Sequence, residues 1–153
     1  MKTFNREKVR GFTLIEILIV IGIIAILASV VIVAINPAKQ FAQARNTQRE
    51  SDVSTILNAI GQNIADYKGV FSCNSVTIAT APATSTIGIA GVDLASCLVP
   101  TYIPTQIPTD PSNGTAANTG YTVSADALGR YTVCAPNHAE AAVPGSSAYC
   151  LTR

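Results

Sequence analysis

An apolar run near the N-terminus constrains this chain more than any other feature. In residues 12–35, Glu16 is the only charged side chain, and Thr13 and Ser29 are the only other polar ones. A helix rises about 1.5 Å per residue, so a run of this length can cross a hydrocarbon layer of about 30 Å. We therefore expect residues 12–35 to form a membrane-spanning helix.

The residues before the run predict its orientation. Residues 1–11 carry four basic side chains and one acidic one, a net side-chain charge of +3, and such a segment stays on the cytoplasmic side. A cleaved secretory signal has an apolar region of only about 7–15 residues. Because this run is longer, the generic alternative is an uncleaved signal anchor with the rest of the chain outside the cytoplasm.

Glu16 is the residue that a generic anchor does not explain. An acidic side chain at mid-bilayer costs about 2.5–3.5 kcal/mol on insertion scales. Cleavage between Gly11 and Phe12 would create an α-ammonium group one helical turn from Glu16. Within one helix this cation competes with the positive end of the helix dipole. Pairing between neighbouring subunits would neutralise both charges and fix their axial stagger.

The nine residues from Lys8 to Glu16, Lys-Val-Arg-Gly-Phe-Thr-Leu-Ile-Glu, resemble the processing site of type IV prepilins and pseudopilins. The resemblance implies that an inner-membrane prepilin peptidase removes residues 1–11 by cutting after Gly11 and then methylates the amine of Phe12. It also implies that Glu16 pairs with a neighbouring subunit's N-terminus during assembly, and that the chain has the pilin fold.

Asn36 and Pro37 interrupt the apolar run. Pro37 lacks an amide donor and clashes with the carbonyl four residues earlier, so a helix passing through it is kinked or broken. Alternatively, Asn36 is an N-cap and Pro37 the first residue of a second helix. Either interpretation makes this pair a joint. In type IV pilins a proline in this region accompanies a segment that melts on assembly, and a static kink is the alternative.

Residues 36–69 are predicted to form an amphipathic helix that ends at Gly69 in a left-handed C-cap. The apolar stripe follows helical spacing: Val53, Ile56, Leu57, Ile60, Ile64 and Tyr67. The polar residues are assigned to the other face: Arg45, Arg49, Glu50, Asp52, Asn58, Gln62, Asn63 and Asp66. The stripe needs a packing partner, and the remainder of the chain is the available one.

The charge distribution argues against nucleic acid as a partner. The formal net charge of the chain is +1, and the side chains of residues 12–153 sum to −2. The cluster of Arg45, Gln48 and Arg49 is interrupted by Glu50 and Asp52 and contains no aromatic residue. We therefore expect it to be a solvated or subunit-contacting face, able to form salt bridges between subunits.

Residues 70–153 are predicted to form a small β-sheet head rich in Thr, Ser, Ala, Gly and Pro. Residues 121–124 and 130–134 form a hairpin with Gly129 at the turn exit, residues 148–151 form a third strand, and residues 92–98 are the best candidate for a short helix. The predicted fold class is α+β, with a long N-terminal helix packed on an antiparallel sheet.

The four cysteines predict two disulfides, because their spacing contains no Cys-x-x-Cys pair. Four cysteines allow three connectivities, and sequence alone does not select one. We favour Cys73–Cys97, which closes the segment after the helix, and Cys134–Cys150, which joins predicted neighbouring strands. The second pair also resembles the loop-enclosing disulfide near the C-terminus of many type IV pilins.

The proline-rich segment before the hairpin is expected to be extended and rich in turns. Residues 102–104 and 107–111 resemble the loop that precedes the sheet in major pseudopilins of type II secretion, whose subunits can bind calcium. The acids Asp93, Asp110 and Asp126 are scattered singly, however, and a turn at residues 110–114 explains the local sequence without metal. We expect no cofactor, with calcium as the alternative.

The sequence favours a structural subunit over an enzyme. His138 is the only histidine and lies in a predicted loop, where we expect a surface residue with no group placed to orient it. No nucleotide-binding motif occurs, so assembly would depend on a separate ATPase at an inner-membrane platform. The expected function is a type IV pilus subunit; the alternatives are a pseudopilin of a type II secretion system and a membrane-anchored extracellular binding module.

Overall fold

The computed structural model describes residues 11–73 and 76–153. The chain divides into two compact units, one ending at Pro37 and the other beginning at Ala38. The helices are α1 (Leu14–Ile35), α2 (Pro37–Asp66) and α3 (Ala95–Leu98), and the strands are β1 (Ser85–Thr86), β2 (Thr122–Ala125), β3 (Tyr131–Ala135) and β4 (Tyr149–Thr152). Residues 1–10 of the predicted leader lie outside the described residues.

The first unit contains α1, and each of its 22 residues is exposed in the isolated chain. The helix begins at Leu14, two residues later than the apolar run, because Thr13 acts as its N-cap. It ends where Asn36 adopts a left-handed conformation with φ of 47°. By length and composition α1 is a candidate membrane span.

The helix α2 begins directly at Pro37, so the chain has two separate helices at the predicted joint. The fixed φ of proline suits the first helical position. At the other end, Lys68 takes a left-handed φ of 59°, and the Gly69 amide bonds the Ile64 carbonyl at 2.8 Å. The left-handed C-cap predicted at Gly69 is thus formed by two residues, because Lys68 and Gly69 both have positive φ.

The sheet of the second unit has the order β1-β2-β3-β4, and all its pairs are antiparallel. The predicted hairpin forms β2 and β3, and Gly129 exits its turn with φ of 80°. The strand β1 was not predicted, since a two-residue strand has no detectable period and pairs with residues far along the chain. The short helix is confined to Ala95–Leu98.

The core of the second unit lies between one face of α2 and the sheet. From α2, Val53, Ile56, Leu57 and Ile60 are buried, and Ile64 packs against them. From the sheet and its flanking loops, the buried partners are Ile87, Leu94, Leu98, Tyr121, Val123, Val133 and Ala135. Tyr67, placed on the same stripe by its spacing, is 53% exposed because α2 ends before it. The predicted α+β architecture is confirmed.

Two disulfides join Cys73 to Cys97 and Cys134 to Cys150, the pairing favoured from the sequence. Cys134 and Cys150 are directly opposite each other in the β3–β4 ladder. Since β4 is an edge strand that pairs only with β3, this disulfide holds the end of the chain on the sheet.

Replacing both Cys134 and Cys150 by alanine is expected to lower the free energy of unfolding by about 3 kcal/mol, because the bond closes a short loop in the unfolded chain. Denaturant unfolding of the detergent-solubilised full chain would measure the loss, and hydrogen exchange should accelerate in β4. The matched control replaces Cys73 and Cys97, which should cost a similar amount because loop entropy grows slowly with length. If the amide hydrogens of β4 exchanged at the same rate in both variants, the Cys134–Cys150 bond would not be what holds β4 on the sheet.

Candidate functional site

The N-terminus of α1 forms a reciprocal capping box between Thr13 and Glu16. The Thr13 amide and hydroxyl both donate to Glu16 Oε2, at 2.7 and 2.9 Å, and the Glu16 amide donates to Thr13 Oγ1 at 3.3 Å. This arrangement satisfies two amide donors at the end of the helix. In the isolated chain the carboxylate therefore already has local partners, which reduces the cost of placing it among apolar groups.

The surface of α1 is aliphatic on every side. Branched side chains such as Ile17, Leu18 and Ile23, which helical spacing places on three different sides, are all exposed, so the apolar surface is not confined to one stripe. A helix that is apolar all round is stable only where lipid or other helices cover it. The described geometry thus offers one carboxylate, at the start of a helix that must be surrounded by apolar groups.

A separate cluster within the second unit is an ionic network that fastens α2 to the head. Arg49 Nε donates to Asp110 Oδ2 at 2.7 Å, and its terminal nitrogens reach Asp110 Oδ1, Glu140 Oε1, Asn46 Oδ1 and Ser112 Oγ. The side chains of Arg49 and Asp110 are 1% and 0% exposed. Arg45, at the edge, donates to Glu140 through Nε and Nη2 at 2.7 and 2.9 Å. One buried guanidinium thereby joins the loop before β2 to the loop after β3.

The network keeps its members charged. Burial by itself raises the pKa of Asp110, but the hydrogen bonds from Arg49 and from the Ser112 amide outweigh burial and leave that pKa below its ordinary value. Hydrogen bonds from Arg45 and Arg49 lower the pKa of Glu140 to about 2. Burial lowers the pKa of Arg49, but its bonds to Asp110 and Glu140 leave it raised.

Acid is expected to destabilise the head as Glu140 and Asp110 become protonated. Both pKa values are depressed in the folded state, so the stability they contribute is present above their ordinary values and is lost as pH falls below them. For Glu140 the loss extends from the ordinary value of 4.5 down to about 2. Denaturation midpoints measured across this range should fall with pH. Glu140→Gln should be less stable at neutral pH and should have a shallower acid dependence, whereas an unchanged slope would contradict this role.

The burial of Arg49 corrects the sequence prediction of a solvated or subunit-contacting face. Asp52 and Asn63 are also buried, and Asp52 accepts a hydrogen bond from the Tyr121 hydroxyl at 2.7 Å. The salt bridges of Arg45 and Arg49 lie within one chain, with partners 61 to 95 residues away. One local signal was available: Arg49 lies one helical turn before Val53 and so continues the apolar stripe.

His138 also differs from the expectation of an unsupported surface loop. It lies in a 3₁₀ turn, Pro136–His138. Its Nε2 lies 3.1 Å from Glu50 Oε1 and its Nδ1 lies 2.8 Å from the Ser147 carbonyl oxygen. The imidazole therefore connects α2 to the loop before β4.

The acids considered for calcium have other partners. Asp110 bonds Arg49, Asp126 bonds Arg130 at 2.6 Å, and Asp93 accepts from the Ala95 amide at 3.1 Å. Within residues 11–73 and 76–153, no group of three or more His, Cys, Asp or Glu side chains is gathered as metal ligands would be. The predicted turn at residues 110–114 is present, with the Gly114 amide bonding the Asp110 carbonyl at 2.9 Å. The expectation of no cofactor, with calcium as the alternative, stays a prediction.

Comparison with known proteins gives one match. Residues 6–32 match the family model described as the prokaryotic N-terminal methylation motif. The match includes Gly11, Phe12, the capping box and most of α1. No curated protein and no solved structure matches the chain significantly.

Proposed function

We propose that this chain, which carries the N-terminal methylation motif of type IV pilins and pseudopilins, is a structural subunit of a type IV pilus. It enters the inner membrane as a prepilin with residues 1–11 on the cytoplasmic side. The peptidase cuts between Gly11 and Phe12 and methylates the Phe12 amine. Identical subunits then polymerise on an inner-membrane platform driven by a separate ATPase.

The observation that carries this proposal is the chemistry of α1. Its 22 residues are apolar on every side, and its one charge is Glu16, at the end where the new amine would lie. Lipid covers this surface before assembly and other copies of α1 cover it afterwards. The apolar area stays away from water in both states, so the transfer from membrane to filament needs little hydrophobic driving force and is reversible.

Assembly requires Glu16 to exchange partners. In the isolated chain its carboxylate bonds to Thr13, the second residue after the proposed cleavage site. In the filament the carboxylate would accept a hydrogen bond from the ammonium group of a neighbouring Phe12, so that both partners are ionised, whereas in the isolated chain only the acceptor is. This exchange lets one residue serve both insertion and polymerisation.

The head projects outside the cytoplasm, where its two disulfides are stable. A filament then grows by heterologous contacts, because each added subunit presents the same free surfaces as the one before. The subunit acts by binding copies of itself, and no reaction step is assigned to it.

A pseudopilin of a type II secretion system is the second candidate, favoured by the proline-rich segment before the β2–β3 hairpin. That segment contains Asp110, the partner of Arg49, so in this chain it fastens the head to α2. A secretion pseudopilus would remain in the periplasm and would not be recovered from the cell surface.

Filament isolation with intact-mass measurement tests the proposal. Surface filaments sheared from cells should contain a chain that begins at N-methyl-Phe12. Processed chain confined to the cell envelope, together with a secretion defect on deletion, would favour the pseudopilin. An unprocessed chain beginning at Met1 in the mature membrane fraction would overturn both and favour the anchored binding module.

A further inference from the structure

Two exposed aliphatic side chains lie beyond opposite ends of β2. Within the described residues 76–153, the large hydrophobic side chains left exposed are Leu128, 80% exposed, and Ile89, 69% exposed. Leu128 lies in the turn that follows β2. Ile89 bonds through its amide to the Ala116 carbonyl, in the loop that precedes β2. Isolated exposed aliphatic residues are ordinary on protein surfaces, so their surroundings decide whether they have a role.

Ile89 borders a pocket of about 340 Å³ in the head. Its apolar lining includes Ile87, Leu94, Val99 and Ile107, so an aliphatic side chain entering it would meet apolar groups. Of the described residues that line it, Asp93 is the one with a charged side chain, and it is half-buried. The pocket thus has an apolar wall with one carboxylate.

Leu128 is presented by a turn that is fixed from within. The Asp126 carboxylate accepts the Leu128 and Arg130 amides, both at 2.9 Å, and the Asp126 amide bonds the Arg130 carbonyl. The Arg130 side chain uses Nε to bond Asp126 and is 60% exposed. Leu128 therefore projects from a preformed turn with a cation beside it, and little ordering entropy would be lost on contact.

We propose that Leu128 of one subunit inserts into the pocket beside Ile89 of a second copy, with Arg130 next to the second copy's Asp93. The occupant is a copy of this chain because the two surfaces are complementary. The aliphatic Leu128 would meet the apolar wall of the pocket, and the cationic Arg130 would meet the carboxylate of Asp93. The two surfaces differ from each other, so the contact is heterologous and can repeat without closing.

The strand direction makes such repetition possible. Thr119 lines the pocket just before β2, and Asp126 begins the turn just after it. At about 3.3 Å per residue these positions are separated by at most about 23 Å. Copies displaced by a distance of this order along β2 would bring the turn of one to the pocket of the next. The inference rests on the proposed function, since a filament supplies copies in such a series.

Cysteine cross-linking in the full chain tests the contact. The double variant Leu128→Cys with Ile89→Cys, oxidised mildly in assembled filaments, should give a ladder of covalent multimers. Each single variant, and the matched pair Leu128→Cys with Val70→Cys at another exposed aliphatic position, should give about tenfold less, because a disulfide forms only at short Cα separations. Filaments without a ladder would overturn the contact.

Charge reversal gives a second readout in the same cross-linking variant. Asp93→Arg and Arg130→Asp should each reduce the multimer yield about tenfold by placing like charges together, and the two combined should restore it. Failure of the combination to restore the yield would contradict the pairing. A ladder formed in membranes that contain no filaments would support the Leu128 contact and overturn the proposed pilus function. The absence of both the ladder and the filaments would overturn the contact and the pilus function together.

Discussion

Replacing Arg49 by alanine is expected to lower the free energy of unfolding of the head by about 3–5 kcal/mol, because it leaves a buried carboxylate without its cation. Asp110 is fully buried and receives two of the five hydrogen bonds that Arg49 makes to side chains. Asn46 and Ser112 would lose a partner as well. Denaturant unfolding of the detergent-solubilised full chain, followed by circular dichroism, would measure the loss.

Arg45 provides the matched control for Arg49. It lies one turn earlier on α2 and also pairs with Glu140, but its side chain is 36% exposed. Arg45→Ala should therefore cost about 1 kcal/mol or less, as exposed ion pairs do. The double variant Arg49→Met with Asp110→Leu should be more stable than Arg49→Ala alone, because it removes the unpaired charge. If Arg45→Ala and Arg49→Ala lowered the free energy of unfolding by the same amount, Arg49 would not be the main link between α2 and the head.

Glu16→Ala is expected to abolish filament assembly while membrane insertion is retained. Removing the carboxylate leaves α1 without a charged side chain, which favours insertion, but it leaves the Phe12 ammonium of a neighbouring subunit without an anion in a low-dielectric core. The amount of chain in the membrane fraction and the yield of sheared filaments would be measured together. The expected result is unchanged membrane chain with filaments below detection.

Thr13→Ala is the control that separates capping from pairing. It removes the hydroxyl from the capping box, at a cost of about 1 kcal/mol to the helix end, and keeps the carboxylate of Glu16. Filaments should still form, in reduced amount at most. Normal polymerisation of Glu16→Ala would show that the charge has no part in assembly, and a complete loss with Thr13→Ala would assign the effect to the cap.

The features predicted correctly from sequence are those that depend on near neighbours. The apolar run predicted α1, and helical spacing predicted the buried stripe of α2 from Val53 to Ile60. The β2–β3 hairpin followed from two β-rich runs separated by a turn ending in Gly129. Each signal is complete within a few residues, so long-range contacts do not alter it. The motif around Gly11 and Phe12 is equally local, and its processing stays a prediction.

The incorrect predictions concern residues whose partners are distant in sequence. The sequence places Arg49 on a solvated or subunit-contacting face because acids interrupt its cluster and no aromatic residue lies in it, yet its partners Asp110 and Glu140 lie 61 and 91 residues away. His138 and Glu50 are separated by 88 residues. No spacing rule relates such pairs. Only the folded chain shows that the acids of the head neutralise the cations of α2.

The position of Arg49 between two loops has a mechanical consequence. A tensile load applied through α2 reaches the sheet along two parallel routes, through Asp110 before β2 and through Glu140 after β3. Because the load is shared, neither loop alone has to carry the force that would detach it from α2. Because the Arg49–Asp110 bond is shielded from solvent, salt screens it much less than a surface pair. The attachment of head to helix should therefore weaken less with rising salt than one made by surface ion pairs.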